Sequence, residues 1–252
     1  MTLPTDTVGE MMWYVKDLGL DKAFDVTQGD TNILIAVVDG PINTNLTDLT
    51  GKFWRNPNEI PNDNLDNDAN GKIDDYYGWD FANTDNNPSW QFPNASKKAH
   101  DKFDHGTVVA TLAVGKINNS NSTVGACPKC KLMPLNIMPM NSADTIVSWE
   151  SHLENEYEAV LYAAKKGAKI INLSWGGWAD SLDNVAKIAL DYAHSQGIII
   201  VAGAGNDNNS KLSFFPNKRF FPANYPSVVS VGALSKDRRK SAFSNYSPAT
   251  KV

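Results

Sequence analysis

Apolar runs and amphipathic segments alternate along most of the chain. Five short runs rich in β-branched residues predict strands at 33–38, 131–138, 168–174, 198–203 and 228–234. Runs of this length that are apolar throughout, without strict alternation, are typical of parallel strands buried on both faces.

Two segments between these runs carry an apolar stripe at helical spacing. The first stripe consists of Leu153, Tyr157, Val160, Leu161 and Ala164. The second consists of Leu182, Val185, Ala186, Ala189, Leu190 and Ala193. Gly167 and Gly197 follow the two segments, as a left-handed helix C-cap requires. The alternation predicts an α/β fold of three layers, with a mostly parallel sheet and helices on both of its faces.

One segment, at about 56–104, interrupts this alternation and is rich in Asn, Asp, Pro and Gly. It is too long for an ordinary connection, which favours a functional or ion-stabilised loop. The chain has 252 residues, of which 42% are hydrophobic, and this suits one large domain. We therefore expect residues 1–252 to form a single domain that contains an insertion-like loop at 56–104.

Composition and charge exclude several classes of partner. The chain carries 28 acidic and 23 basic residues, a formal charge of −5, and offers no basic face for a nucleic acid. No run of eighteen apolar residues predicts a membrane span, and the N-terminus lacks the basic and apolar regions of a signal peptide. We expect neither nucleic acid nor membrane as a partner.

The two cysteines, Cys127 and Cys130, lie in the sequence Cys-Pro-Lys-Cys. A zinc site needs four ligands, and no second Cys pair or close His pair is available. A local disulfide and two free thiols both remain open, and the disulfide is favoured if the protein is secreted.

Three polar residues lie at strand ends or at a helix start, where α/β proteins place functional groups. Asp39 ends a predicted strand, His105 precedes a run of small apolar residues that suits a buried helix, and Asn206 follows the small residues that end another strand. A carboxylate, an imidazole and an amide can act as orienting acid, general base and oxyanion donor. Each also has a structural interpretation: a turn-forming Asp, a core His and a plain strand exit.

Oxygen-bearing side chains recur at alternate positions around Gly71 in the long loop, at Asp66, Asp68, Asn70 and Asp74. This spacing resembles that of a calcium loop, although Tyr77 stands where an EF-hand has its last Glu. A variant calcium site and a solvated Asx-rich turn remain equally open.

Together, these motifs resemble the subtilisin-like (subtilase) serine proteases from about Trp13 to Val252. The resemblance rests on Ala36-Val37-Val38-Asp39, on His105-Gly106-Thr107-Val108-Val109-Ala110 and on Ala202-Gly203-Ala204-Gly205-Asn206. Later landmarks of the family are similar to Asn172-Leu173-Ser174-Trp175-Gly176-Gly177, Phe221-Pro222-Ala223-Asn224-Tyr225-Pro226 and Phe243-Ser244-Asn245-Tyr246. The number and order of these matches are more specific than any one of them.

The resemblance implies a Ser-His-Asp endopeptidase in which Asp39 orients His105, His105 is general base and acid, and Asn206 stabilises the oxyanion. It places the substrate against Ser174, Trp175 and Gly176 and makes Gly203, Ala204 and Gly205 a wall of the specificity pocket. It also implies a structural calcium site at Asp48, Asn119, Asn121 and Thr123, and no organic cofactor. Polypeptide substrates, a propeptide or inhibitor as partner, a monomeric state and an extracellular or cell-envelope location complete the expectation.

The sequence departs from the family at the nucleophile. No Gly-Thr-Ser-x-Ala motif occurs, although the family landmarks continue to the last residues. We therefore expect a domain that is incomplete at its C-terminus and inactive alone. Two alternatives remain: a non-catalytic peptide-binding module that has lost its serine, and a nucleotide-binding protein suggested by Gly203-Ala204-Gly205.

Overall fold

A computed structural model describes residues 12–89, 104–119, 123–138, 153–208 and 218–246. Eight strands lie in these ranges: β1 Leu34–Asp39, β2 Trp79–Asp80, β3 Lys131–Asn136, β4 Ile170–Leu173, β5 Gly177–Ala179, β6 Ile199–Gly203, β7 Arg219–Phe221 and β8 Val228–Val231. The predicted ligand Asn121 and part of the long loop lie outside the described residues.

Six of the strands form one parallel sheet in the order β2-β3-β1-β4-β6-β8, and β5 and β7 form a separate antiparallel pair. The mostly parallel sheet is confirmed. Four of the five predicted strands are shorter than the apolar runs that predicted them, and β1 keeps its predicted length but begins and ends one residue later. The run at 228–234, for example, leaves the sheet after Val231, because the N–H of Ala233 donates to the Ser244 hydroxyl at 2.9 Å.

The α-helices in the described residues are α1 Trp13–Asp17, α2 Leu20–Val26, α3 His105–Val114, α4 Leu153–Lys165 and α5 Asn184–Ser195, and a short 3₁₀-helix spans Thr47–Leu49. Helix α5 begins after Leu182 because the Asp183 carboxylate accepts a 2.7 Å bond from the N–H of Ala186 and caps the first turn. Gly167 and Gly197 follow α4 and α5 with φ of 86° and 74°, the left-handed conformation that the sequence predicts.

The two faces of the sheet are covered by different helices. Successive side chains of β1 point to opposite faces. Ala36 and Val38 belong to the core that includes Val160 of α4 and Leu190 of α5, whereas Ile35 and Val37 pack with Ala110 of α3. This alternation produces the three predicted layers. Val185, a member of the second predicted stripe, is instead 54% exposed.

On the face of the sheet that α3 covers, some apolar side chains remain exposed. Ile199, Val229 and Val231, on β6 and β8, are each about half exposed. Among the described residues, β8 is the last strand on this side of the sheet. Edge strands of this kind are usually paired or covered.

Strand direction brings the candidate residues together. β1, β4 and β6 are parallel neighbours, so the residues that follow them lie at one edge of the sheet. Helices α4 and α5 run back towards the start of a strand, which places their N-terminal turns at this same edge. The carboxyl edge therefore collects Asp39, the segment 174–176 and the segment 204–206.

Candidate active site

At the carboxyl edge, the buried carboxylate of Asp39 pairs with the half-exposed imidazole of His105. Asp39 is 3% exposed, and its Oδ1 lies 2.7 Å from Nδ1 of His105. The same oxygen accepts a 2.7 Å bond from the N–H of Gly40. Asp39 thus stabilises its own turn and also orients the imidazole, so the two interpretations of this residue are compatible.

The imidazole of His105 lies partly in solvent, with its side chain 52% exposed. The hydrogen bond that His105 donates to the Asp39 carboxylate raises the pKa of His105 above its ordinary value of 6.5, against the lowering effect of partial burial. With Nδ1 committed to Asp39, the other ring nitrogen, Nε2, is left for a proton-transfer partner. An imidazole whose pKa is raised and whose Nδ1 is held by a carboxylate is suited to general acid–base catalysis through Nε2.

Close packing of α3 against the end of β1 fixes this geometry. A Cβ on Gly106 would lie only 2.2 Å from the carbonyl oxygen of Gly40, so a residue with a side chain does not fit. At the next residue, the Thr107 hydroxyl accepts a 2.9 Å bond from the N–H of Asn43. The His-Gly-Thr sequence therefore secures the helix start to the chain that leaves Asp39.

Asn206 is exposed on a short loop after β6 that Asn245 holds in place. The Asn245 amide donates to the carbonyl of Ala204 at 2.9 Å, its backbone N–H donates to the carbonyl of Gly205 at 2.9 Å, and its Oδ1 accepts from the N–H of Asp207 at 3.1 Å. Asn245 is fully buried. Sequence reasoning treated it only as a landmark, because nothing local shows that it reaches the loop of Asn206.

The segment 174–176 follows β4 beside this pair. The Ser174 hydroxyl accepts a 2.9 Å bond from the Asn172 amide, and the Trp175 indole N–H donates to the carbonyl of Val38 at 2.9 Å. A Cβ on Gly176 would lie 2.5 Å from the carbonyl oxygen of Phe221. These contacts hold the segment against the carboxyl end of β1 and against β7.

One cleft of about 1140 Å³ brings most of the predicted site residues together. The predicted residues in its lining are Asp39, His105, Ser174, Trp175, Gly176, Gly203, Gly205 and Asn206. Ala204 is buried, with its side chain directed away from solvent. The cleft also has Glu156 in its lining, a residue that sequence reasoning missed. The available signal was its place three residues after Leu153 and four before Val160, on the apolar stripe.

The residues of the predicted calcium loop do not all face one point, and several of them make hydrogen bonds within the loop instead. Asp66 accepts from the N–H groups of Asn70 and Gly71, and Asp74 accepts from those of Asp63 and Asn64. Bonds of this kind, from a backbone N–H to a nearby Asp side chain, stabilise turns. The Asn70 amide donates to Asp75 at 2.8 Å.

Asp68 instead joins Glu59 and Asp75 in a cluster whose ligand oxygens all lie within 4.8 Å of one another. Oε2 of Glu59 and Oδ1 of Asp68 are buried and have no hydrogen-bond partner. Burial, and the nearby charges of Asp75 and Asp68, raise the pKa of Glu59. Lys166 forms ion pairs with Asp68 and, at 3.4 Å, with Asp75. The ammonium group of Lys166 thus balances one of the three carboxylate charges. The remaining negative charge suits a divalent cation.

The second predicted calcium site is partly assembled. Asp48 is 5% exposed, and its Oδ1 is hydrogen-bonded by the Asn119 side chain. Thr123 begins the next described segment, beyond Asn121. The structure thus brings the first two of these residues together.

Cys127 and Cys130 form a disulfide, which decides between the two open interpretations of the pair. The bridge packs on Gly29, where a Cβ would lie 2.1 Å from Sγ of Cys127. Among the described residues, no helix combines the length and apolarity needed to cross a membrane.

The fold and the site together define an α/β protein with an Asp–His acid–base pair at the carboxyl edge of a parallel sheet. Over residues 30–252 the sequence matches the Subtilase family, and the chain belongs to that family. The subtilases are serine-type peptidases, so the predicted resemblance is confirmed.

Curated relatives and solved structures agree with this assignment. The thermophilic serine proteinase of Bacillus sp. (strain AK1) is 30% identical over 226 residues, 90% of this chain and 44% of that protein. Thermitase of Thermoactinomyces vulgaris is 29% identical over 231 residues, 92% of this chain and 65% of that protein. The chain therefore spans about half to two thirds of these relatives. The epidermin leader peptide processing serine protease of Staphylococcus aureus shares the fold, with a TM-score of 0.70 and 18% identity over 99% of this chain and 58% of that one.

Proposed function

We propose that this chain carries the acid, the base and the oxyanion donor of a Ser-His-Asp endopeptidase. The observation that supports this most strongly is the 2.7 Å contact between Asp39 and His105 in the cleft that Asn206 also lines. Asp39 holds the imidazole in the tautomer that carries its proton on Nδ1 and stabilises the imidazolium when it forms.

In this proposal the Nε2 of His105 takes the proton of an attacking serine hydroxyl and then delivers it to the leaving amine. The Asn206 amide donates to the oxyanion of the tetrahedral intermediate. Gly205, with φ of 100°, turns the chain so that Asn206 follows the end of β6 into the cleft.

An extended polypeptide is the substrate class that the cleft suits. The backbone of Ser174, Trp175 and Gly176 lies at the cleft edge and would pair with a substrate segment as an added β-strand. Gly203 and Gly205 have no side chains to obstruct the approach, and they would form one wall of the pocket for the residue at the scissile bond.

The nucleophile is the component that these 252 residues do not supply. The Gly-Thr-Ser motif of the family is absent from the sequence, and within the described residues no serine hydroxyl is hydrogen-bonded to His105. We infer that a polypeptide limited to these residues hydrolyses no peptide bond.

A fluorophosphonate probe tests this inference, because it labels only an activated serine. We expect no labelling of the 252-residue chain under conditions that label an intact subtilase. Labelling of wild type that is lost in His105→Ala would show that the chain holds its own nucleophile.

A non-catalytic peptide-binding module is the second candidate, favoured by an assembled cleft in a sequence without the serine motif. It predicts a stable, monodisperse 252-residue protein that binds peptides. Extension of the open reading frame into Gly-Thr-Ser-x-Ala would favour the peptidase instead.

We also propose that Ca²⁺ stabilises the fold at the cluster formed by Glu59, Asp68 and Asp75. Three carboxylates with two unpartnered buried oxygens form a hard oxygen-rich site of the kind that Ca²⁺ prefers. The Asp48–Asn119 pair is a second candidate position. The ion would be structural and would take no part in the chemistry.

The location that we propose is extracellular or in the cell envelope. The Cys127–Cys130 disulfide supports it, because oxidising compartments preserve such bridges. A propeptide or inhibitor that occupies the cleft would be the natural partner of a secreted peptidase, and we propose a monomer as the state that acts.

A further inference from the structure

Glu156 is a buried carboxyl group that the Asp39–His105 chemistry does not use. It is 5% exposed, and its Oε2 has no hydrogen-bond partner. In the described part of the chain, no Lys or Arg lies within ion-pair distance of it. Burial raises the pKa of Glu156 to about 7. A buried carboxyl oxygen without a hydrogen-bond partner is costly, so the position of Glu156 in the lining of a cleft points to a ligand.

The position of Glu156 follows from the fold. It lies in the first turn of α4, and that turn reaches the carboxyl edge of the sheet. The residue lines the same cleft as His105 and the segment 174–176. A substrate strand that pairs with that segment would pass close to Glu156.

Aromatic rings contribute to the walls of the cleft. Tyr157 and Trp175 meet edge to face with ring centroids 5.7 Å apart, and Trp178 and Phe220 do so at 5.6 Å. All four residues line the cleft. Such walls accept an aliphatic chain and also attract a cation towards their ring faces.

The charges of the lining favour a cation as the occupant. The acidic residues of the cleft are Asp39, Glu156, Asp183 and Asp207, and the basic ones are His105 and Lys218. Burial, followed by the charges of Glu156 and Asp183, raises the pKa of Tyr157, so both carboxyl groups lie near this phenol. Asp183 is the exposed N-cap residue of α5, whereas Glu156 is buried.

We propose that Glu156 is a specificity-determining residue that receives a Lys or Arg side chain of the peptide bound along Ser174–Gly176. The aliphatic stem lies against the aromatic walls, and the cationic end donates to the unpartnered Oε2. The charge-assisted hydrogen bond replaces the solvation that the carboxylate lost on folding. This proposal rests on the proposed peptide cleft and adds a preference for basic residues away from the scissile bond.

Peptide binding to the 252-residue chain tests the proposal without any need for catalysis. The probe is a set of labelled, acetylated octapeptides of alanine in which each position in turn carries Lys, Arg, norleucine or Glu, and anisotropy gives the Kd. At one position we expect Lys and Arg to bind about tenfold more tightly than norleucine, the effect of one charged hydrogen bond. Glu156→Gln should remove this preference and leave the norleucine peptide unaffected.

Glu158→Gln is the matched control, because Glu158 lies on the same helix but is exposed and pairs with Lys72. It should retain the preference. A direct measurement avoids reliance on folding of the variants: carbon NMR of wild type should show that the Lys peptide lowers the pKa of Glu156 and that the norleucine peptide does not.

Two negative results are distinguishable. Peptides that bind equally well with Lys and norleucine, or a preference that survives in Glu156→Gln, would overturn the role of Glu156 and leave the peptide cleft intact. Absence of binding by every peptide would overturn the proposed function itself, and the proposal for Glu156 with it.

Discussion

At the scale of single residues, the motifs that are local in sequence were the predictable ones. The structure brings Asp39 and His105 together at 2.7 Å and places Asn206 in the same cleft. Glu156 and Asn245 were not predicted, because their roles depend on contacts made across the fold. A Glu on an apolar helix stripe indicates burial, but only the assembled sheet and helices show what it faces.

Glu156 also makes a testable contribution to stability. Its folded pKa of about 7 lies above the ordinary 4.5, so the folded state binds this proton more tightly than the unfolded chain does. The free energy of unfolding should therefore fall by about 1–3 kcal/mol as the pH rises from about 4.5 to about 7. Glu156→Gln, which has no such proton, should lack this part of the pH dependence when urea unfolding is measured at pH 5 and pH 8.

The exposed Glu158→Gln variant is the control and should follow wild type at both pH values. Tyr157 and Asp183 face the same region and are unchanged in both variants. A wild type and a Glu156→Gln variant with the same pH dependence would contradict the burial cost that we assign to Glu156.

At the scale of elements, the types of strands and helices were predictable and their ends were not. The apolar runs identified the long parallel strands, since burial on both faces makes them apolar throughout. Their ends depend on distant partners, such as the Ser244 hydroxyl that takes the N–H of Ala233. Short elements such as β2 and β5, with two and three residues, carry too little pattern to be predicted.

The contact between α3 and the end of β1 yields a prediction at this scale. A Cβ in Gly106→Ala would lie 2.2 Å from the Gly40 carbonyl oxygen, so the helix has to move. We expect a loss of about 1–3 kcal/mol in the free energy of unfolding, together with weakening of the Asp39–His105 bond. Denaturant unfolding measures the first, and the NMR titration of His105 measures the second as a lower pKa.

Val108→Ala is the control, because Val108 is on the same helix and 52% exposed. It should change stability by less than about 1 kcal/mol and leave His105 unaffected. A Gly106→Ala protein with wild-type stability and an unchanged His105 would contradict the close packing.

At the scale of the whole molecule, the layered architecture was predictable because helix and strand patterns alternate. The internal order of the long loop was not, since its polar residues have many possible partners. The acidic cluster shows this, because it connects the loop to α4: Tyr162 donates to Asp75 at 2.7 Å, and Lys166 pairs with Asp68. A cation bound here would therefore stabilise the loop and the helix layer together.

Calcium should raise the melting temperature of the 252-residue chain. At a concentration 100-fold above its Kd, Ca²⁺ should increase Tm by roughly 5 °C, because it binds the folded state alone. Glu59→Gln and Asp68→Asn should each remove most of this increase in a thermal scan with Ca²⁺ or with EDTA.

Asp25→Asn, at an exposed position on α2, is the control and should keep the increase. Loss of the increase in Asp66→Asn or in Asp48→Asn, with no effect of Glu59→Gln, would place the ion elsewhere and contradict the cluster.

The central claim is that Asp39 holds His105 as the general base of the cleft, and ¹⁵N NMR titration of His105 tests it most directly. Asp39 raises the pKa of His105 above 6.5, so this group's contribution to stability is fully present below that pH and is lost as the pH rises through the folded pKa. The measurement compares wild type with Asp39→Asn. We predict a neutral His105 with its proton on Nδ1 and a pKa above 6.5, and a lower pKa in Asp39→Asn. A neutral imidazole with its proton on Nε2, or a pKa that does not change on loss of the Asp39 charge, would contradict the account.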